Sequence, residues 1–124
     1  MPRVRRRWIV VAAALLAIVV AYRLLDVPTY IWQYRVIEEH TLLLETIDGP
    51  GAWVRVTDVD ETPTQVAVTV RSVHIQLGPS TAEGYVYESL ATLQDPLGDR
   101  MVIDASDGHA VDRATCPPYN LPCP

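Results

Sequence analysis

Two cysteines, three histidines and a series of late carboxylates are the residues of this chain best suited to chemistry. Cys116 and Cys123 enclose Pro-Pro-Tyr-Asn-Leu-Pro. That spacing is not the Cys-x-x-Cys of a redox motif, and two thiols with only His109 nearby fall short of a tetrahedral zinc set. In an oxidising compartment an even pair at short range is expected to close as a structural disulfide. Asp95, Asp99, Asp104, Asp107 and Asp112 raise the question of calcium, which takes about six to eight oxygens and, in an EF-hand, a fixed ligand register. The stretch Asp104-Ala105-Ser106-Asp107-Gly108 misses that register, and no Glu follows at the required distance. Turn formation accounts for Asp95, Asp107 and Gly108 without a metal, and Asp99-Arg100 suits an ion pair at the start of a strand.

His40, His74 and His109 are far apart in the chain, and none lies near a Ser or Cys in a recognised nucleophile context. Folding can bring His74 beside Ser72 or a carboxylate, but any acidic domain offers such pairings. There is no Gly-rich phosphate loop. The sequence therefore assigns no catalytic residue, no metal ligand and no cofactor, and it predicts a binding or supporting role rather than an enzyme.

The clearest pattern is N-terminal. Arg3, Arg5, Arg6 and Arg7 precede the uncharged run 8–22, WIVVAAALLAIVVAY. At about 1.5 Å per residue a helix over 8–25 covers about 27 Å, close to a hydrocarbon core of about 30 Å. Arg23 can extend its guanidinium to the headgroups, and Trp8 and Tyr22 fall where interfacial aromatics are enriched. The four arginines place the N-terminus in the cytoplasm and the rest of the chain outside. A cleaved signal is the alternative, with Val19 and Ala21 as the small residues before a cut after Ala21. No polar or Gly/Pro-containing stretch separates the apolar run from that point, which favours a retained anchor with the lipid bilayer as partner of residues 8–25.

Charge divides at the same place. Up to Leu25 the chain has five arginines and no acid, whereas the remaining 99 residues hold five arginines against all 15 acids, a net charge of −10. So acidic a surface disfavours nucleic acid and anionic headgroups as partners and leaves a protein partner in the envelope. Phe is absent and Val, Leu, Ala and Ile dominate, which predicts a core of aliphatic, β-branched packing.

These residues must be positioned by one small domain, since 99 residues are too few for two. Asp26 and Pro28 interrupt the membrane helix. Residues 29–40, TYIWQYRVIEEH, place Tyr30, Trp32 and Tyr34 two apart and Tyr30 and Tyr34 four apart. Pro28 and Glu38-Glu39 tip this stretch toward a helical juxtamembrane stalk whose aromatics form an interfacial belt. From Thr41 the pattern has period two: strands are predicted over 41–47, 52–59 and 64–75, separated by Asp48-Gly49-Pro50-Gly51 and Asp60-Glu61-Thr62-Pro63. Gly78-Pro79-Ser80 opens a polar loop, 85–93 is ambiguous, and Asp107-Gly108 marks a hairpin turn after a strand over 101–104.

The expected architecture is mainly β: a transmembrane helix followed by a small antiparallel β-sandwich or barrel-like domain. It divides into a basic tail (1–7), the span (8–25), a stalk (26–40), the β domain (41–113) and a disulfide-closed Pro-rich tail (114–124). The order Glu61-Thr62-x-Thr64-x-Val66-x-Val68-x-Val70, then Pro96-Leu97-Gly98-Asp99-Arg100-x-Val102-x-Asp104, resembles small uncharacterised membrane-anchored or secreted envelope proteins of high-GC Gram-positive bacteria. The resemblance covers residues 41–113 and implies a compact β domain outside the membrane, with no activity to transfer.

Overall fold

A computed structural model describes residues 2–74 and 84–115. Cys116, Cys123 and the Gly78-Pro79-Ser80 loop lie outside the described residues, so the expected disulfide does too.

Helix α1 spans Pro2–Leu25. Nothing in its sequence interrupts it, because Pro2 stands in the first turn, where a missing N–H costs no hydrogen bond. Apart from contacts of its last turns, its apolar side chains stand exposed: the segment Arg3–Leu25 is 0% buried, and Trp8 is 70% exposed. In water, such a helix would leave its whole hydrocarbon surface solvated. Its length and composition are those of a membrane anchor or signal sequence.

The rest of the described chain forms two mixed sheets packed face to face. In the first, β1 (Asp26–Pro28), β5 (Gln65–Val73) and β4 (Trp53–Glu61) are hydrogen-bonded in that order, and β7 (Met101–Asp104) pairs with β5 in parallel. In the second the order is β6 (Tyr85–Thr92), β3 (Thr41–Asp48), β2 (Ile31–Glu38), β8 (Asp112–Arg113), with β8 parallel to β2. Both sheets are thus mixed, although the consecutive strands β2–β3 and β4–β5 pair antiparallel as expected.

Alternation builds the core between the sheets. Val66, Val68 and Val70 of β5 face Ile31, Tyr34, Leu42 and Leu44 of the other sheet, and Ala91, Leu93, Leu97, Val102 and Val111 complete it. Val54, Val56 and Val59 of β4 pack against this cluster. A register shift between Val56 and Asp58 returns Val59 to the inner face after one extra residue.

The helical stalk is corrected by the structure. Residues 26–40 are not a stalk: β1 and β2 belong to the two sheets, and a tight turn at Glu39-His40 joins β2 to β3. Thr29, Ile31, Val36 and Ile37 are β-branched, and antiparallel pairing with β3 satisfies the backbone of β2. Tyr34 lies in the core at 8% exposure, so it is no part of an interfacial belt. Tyr30 and Trp32 are exposed on the domain.

Candidate functional site

Helix α1 passes into β1 without a linker, and the junction is built from three strands and the last helical turn. Register places Asp26 opposite Val73, Pro28 opposite Arg71, and Arg55 opposite Arg71. Two arginines facing each other across adjacent strands repel. The Asp26 carboxylate removes the conflict. Its Oδ2 accepts from Arg55 Nη2 at 2.7 Å and from Arg71 Nε at 3.3 Å, and Arg71 Nη2 donates to the Asp26 carbonyl at 2.8 Å. The hydrogen bond from Arg55, more than the burial that opposes it, holds the Asp26 pKa below the ordinary carboxylate value. Trp53 lies 6.1 Å from Tyr22 at 55°, and the Arg55 guanidinium sits 4.7 Å from the Trp53 ring and 5.8 Å from that of Tyr22. The end of the helix is therefore fastened to the domain by an ion triad and an aromatic–cation stack.

A second cluster lies where β2 begins. Asp104 is fully buried at the end of β7: Oδ2 accepts from Ile31 N at 2.9 Å, and Oδ1 accepts from Ser106 N at 2.9 Å and Ser106 Oγ at 2.6 Å. His109 Nδ1 is 2.5 Å from Asp107 Oδ1 and 3.8 Å from Asp104 Oδ2, its Nε2 is 3.0 Å from the Ile31 carbonyl, and its ring stacks on Tyr30 at 4.4 Å. A carbonyl only accepts, so Nε2 carries a proton, and Nδ1 between two carboxylates favours a second. The Asp107 hydrogen bond accordingly raises the His109 pKa against opposing desolvation, while the His109 backbone N–H is the main cause lowering that of Asp107. One ligand atom from each of Asp104, Asp107 and His109 falls within 4.8 Å of the others. Three donors are about half of what calcium takes, and the Asp104 oxygens are already committed to three hydrogen-bond donors. The cluster works as a charged clasp between the sheets.

The late Pro-Leu-Gly-Asp-Arg string is a third fastening. Arg100 pairs with Glu61 Oε1 at 3.2 Å and donates to the carbonyls of Asp95, Pro96 and Leu97. Glu61 in turn accepts from Gln94 N at 2.7 Å, the largest cause of its lowered pKa. The ion pair predicted for Asp99 and Arg100 is thus made by Glu61 instead, because the bend at Gly98 (φ 56°) directs Arg100 back across its own loop.

Of the histidines, His74 Nε2 meets the Pro50 carbonyl at 2.9 Å and packs on Gly49. No serine hydroxyl is hydrogen-bonded to a histidine among the described residues. Arg3, Arg5, Arg6 and Arg7 lie at the start of α1, Trp8 directly after Arg7 and Tyr22 in its last turns. The aromatic that joins Tyr22 is Trp53, 31 residues away, which local spacing does not reveal; its signal was an exposed Trp two residues before an Arg on the outer face of a strand. Comparison with protein families, curated proteins and solved structures finds no match to the chain.

Proposed function

We propose that this chain is a single-pass membrane protein with a cytoplasmic N-terminus, holding a small acidic β-sandwich at the outer face of the membrane. There it acts by binding a protein partner or supporting an envelope assembly, without catalysis. The observation that carries this reading is the unbroken apolar helix, wholly unburied and continuous with the first strand. Its 23 residues cover about 35 Å, enough to cross a bilayer core of about 30 Å. The helix also runs on through Val19 and Ala21 to Leu25, with no break at the would-be cleavage point. Four arginines before the span and an acid-free helix agree with the positive-inside orientation.

Intact mass and N-terminal sequencing of the protein from alkali-washed membranes test the anchor. The expected result is a chain that retains Arg3–Arg7 in the membrane pellet. A mature chain beginning at Tyr22 and found in the soluble fraction would establish the secreted alternative. Protease added outside intact cells should digest the domain and spare an N-terminal tag; the opposite protection would reverse the topology.

A further inference from the structure

The domain is strongly acidic, yet its face beside α1 is basic. Arg23 from the last helical turn, Arg55 from β4 and Arg71 from β5 converge with Tyr22, Asp26 and Thr57 on a cleft of about 560 Å³. That is within the usual range for ligand sites, about 300–1,000 Å³. Three guanidinium groups meet one carboxylate there, an excess of two positive charges. Asp26 Oδ2 already serves both Arg55 and Arg71, while Arg55 Nη1 and Asp26 Oδ1 are each left buried with no hydrogen-bond partner among the described residues. Buried donors without partners are rare because they forfeit their hydration. The orphaned donor and the orphaned carboxylate oxygen balance one another, so what the fold leaves unanswered is the charge of three guanidinium groups around one carboxylate.

Position supplies the missing anion. If α1 spans the bilayer, its last turn and this cleft lie at the level of the outer headgroups. Trp53, 56% exposed, and Tyr22 flank the site as interfacial aromatics do. We propose that the cleft binds the phosphate of a phospholipid headgroup in the outer leaflet. Arg55 Nη1 donates to a phosphate oxygen, Arg71 and Arg23 supply charge, and Tyr22 and Trp53 lie along the upper acyl chain. This binding rests on the membrane-anchored placement. It differs from adsorption to an anionic surface, which the net charge of the domain opposes; the phosphate is taken singly, into a cleft.

Native mass spectrometry of the full-length protein, released from detergent micelles with added phosphatidylglycerol, reads the site directly. One lipid is expected to be retained. Arg55→Gln should weaken retention by about tenfold or more, as for loss of a charge-assisted hydrogen bond. Thr57→Glu changes an exposed residue on the cleft wall and places an anion in the cleft; it should lose the lipid with its melting temperature unchanged. Asp26→Asn raises the positive excess and should tighten retention. Equal retention by wild type and Thr57→Glu would overturn the site, as would equal retention of diacylglycerol, which has no phosphate. Displacement of the lipid by inorganic phosphate at matching concentration would reassign the cleft to free phosphate and overturn the lipid. Alkaline extraction of the same protein separates the two levels: a chain that leaves the membrane defeats the anchor, whereas an integral chain without selective lipid defeats only the cleft.

Discussion

Single side chains decide whether this domain holds together, because each fastening relies on one charged group serving several partners. Asp26 is the clearest case. Asp26→Ala leaves Arg55 and Arg71 opposed with no anion between them, and should destabilise the fold by about 2 kcal/mol in thermal or denaturant unfolding. An unchanged midpoint would show that the triad contributes nothing net. Titration adds a second expectation. His109 has a raised pKa, so its folded form binds the proton more tightly than the unfolded chain does. Its contribution is complete below about pH 6.5 and fades as pH rises through the raised value. Asp26, Glu61 and Asp107 have lowered values. What they contribute is complete above about pH 4–4.5 and is lost as pH falls through their folded values. Melting temperature should therefore decline at both ends, and His109→Gln should flatten the alkaline decline and, because the His109 side chain also lowers the Asp107 value, a smaller part of the acid one. A wild-type curve that does not fall on the alkaline side would contradict the clasp. These groups were visible in the sequence, but their partners were not: Glu61 and Arg100, or Ile31 and Asp104, meet only through long-range pairing.

At the level of elements, alternation of residue type carried most of the information. The predicted strands over 41–47, 52–59 and 101–104 correspond to β3, β4 and β7, and 64–75 contains β5, because Val and Leu recur with period two between turn clusters. Stretch 29–40 misled because Tyr30 and Tyr34 satisfy both periods at once. Its strand character comes from pairing with β3, which buries Ile31 and Tyr34 while leaving Trp32 outside. The parallel pairings of β7 and β8 were also illegible, since a strand of four or two residues carries no directional signal. Two substitutions test the resulting packing. Leu44→Ala in β3 opens a cavity at a fully buried position and should cost about 3 kcal/mol. Gly108 has φ 79° in the turn after β7, so Gly108→Ala should cost about 1 kcal/mol, read as a lowered unfolding midpoint. A neutral Leu44→Ala would place the core elsewhere.

For the molecule as a whole, the division of charge and hydropathy at Leu25 was plain from the sequence, and the described structure has an exposed apolar helix on one side of it and two packed sheets on the other. What the sequence did not show is how the two are joined. A flexible Gly-Ser insertion between Leu25 and Asp26 should separate Tyr22 from Trp53 without unfolding the domain. Site-directed distance measurements between the helix end and β4 should then change from a narrow to a broad distribution. A distribution already broad in the wild type would mean that the junction does not hold.

That junction limits whom the protein can meet. A domain of this size has a radius of gyration on the order of 12 Å, and on the anchored placement proposed above a joint without slack would keep it within a few nanometres of the bilayer surface. Encounters would then become a two-dimensional search among neighbours of similar height, with a taller or more distant partner out of reach. In exchange, little orientational freedom is surrendered at each encounter, so a small contact patch suffices where a swinging domain would require a large one.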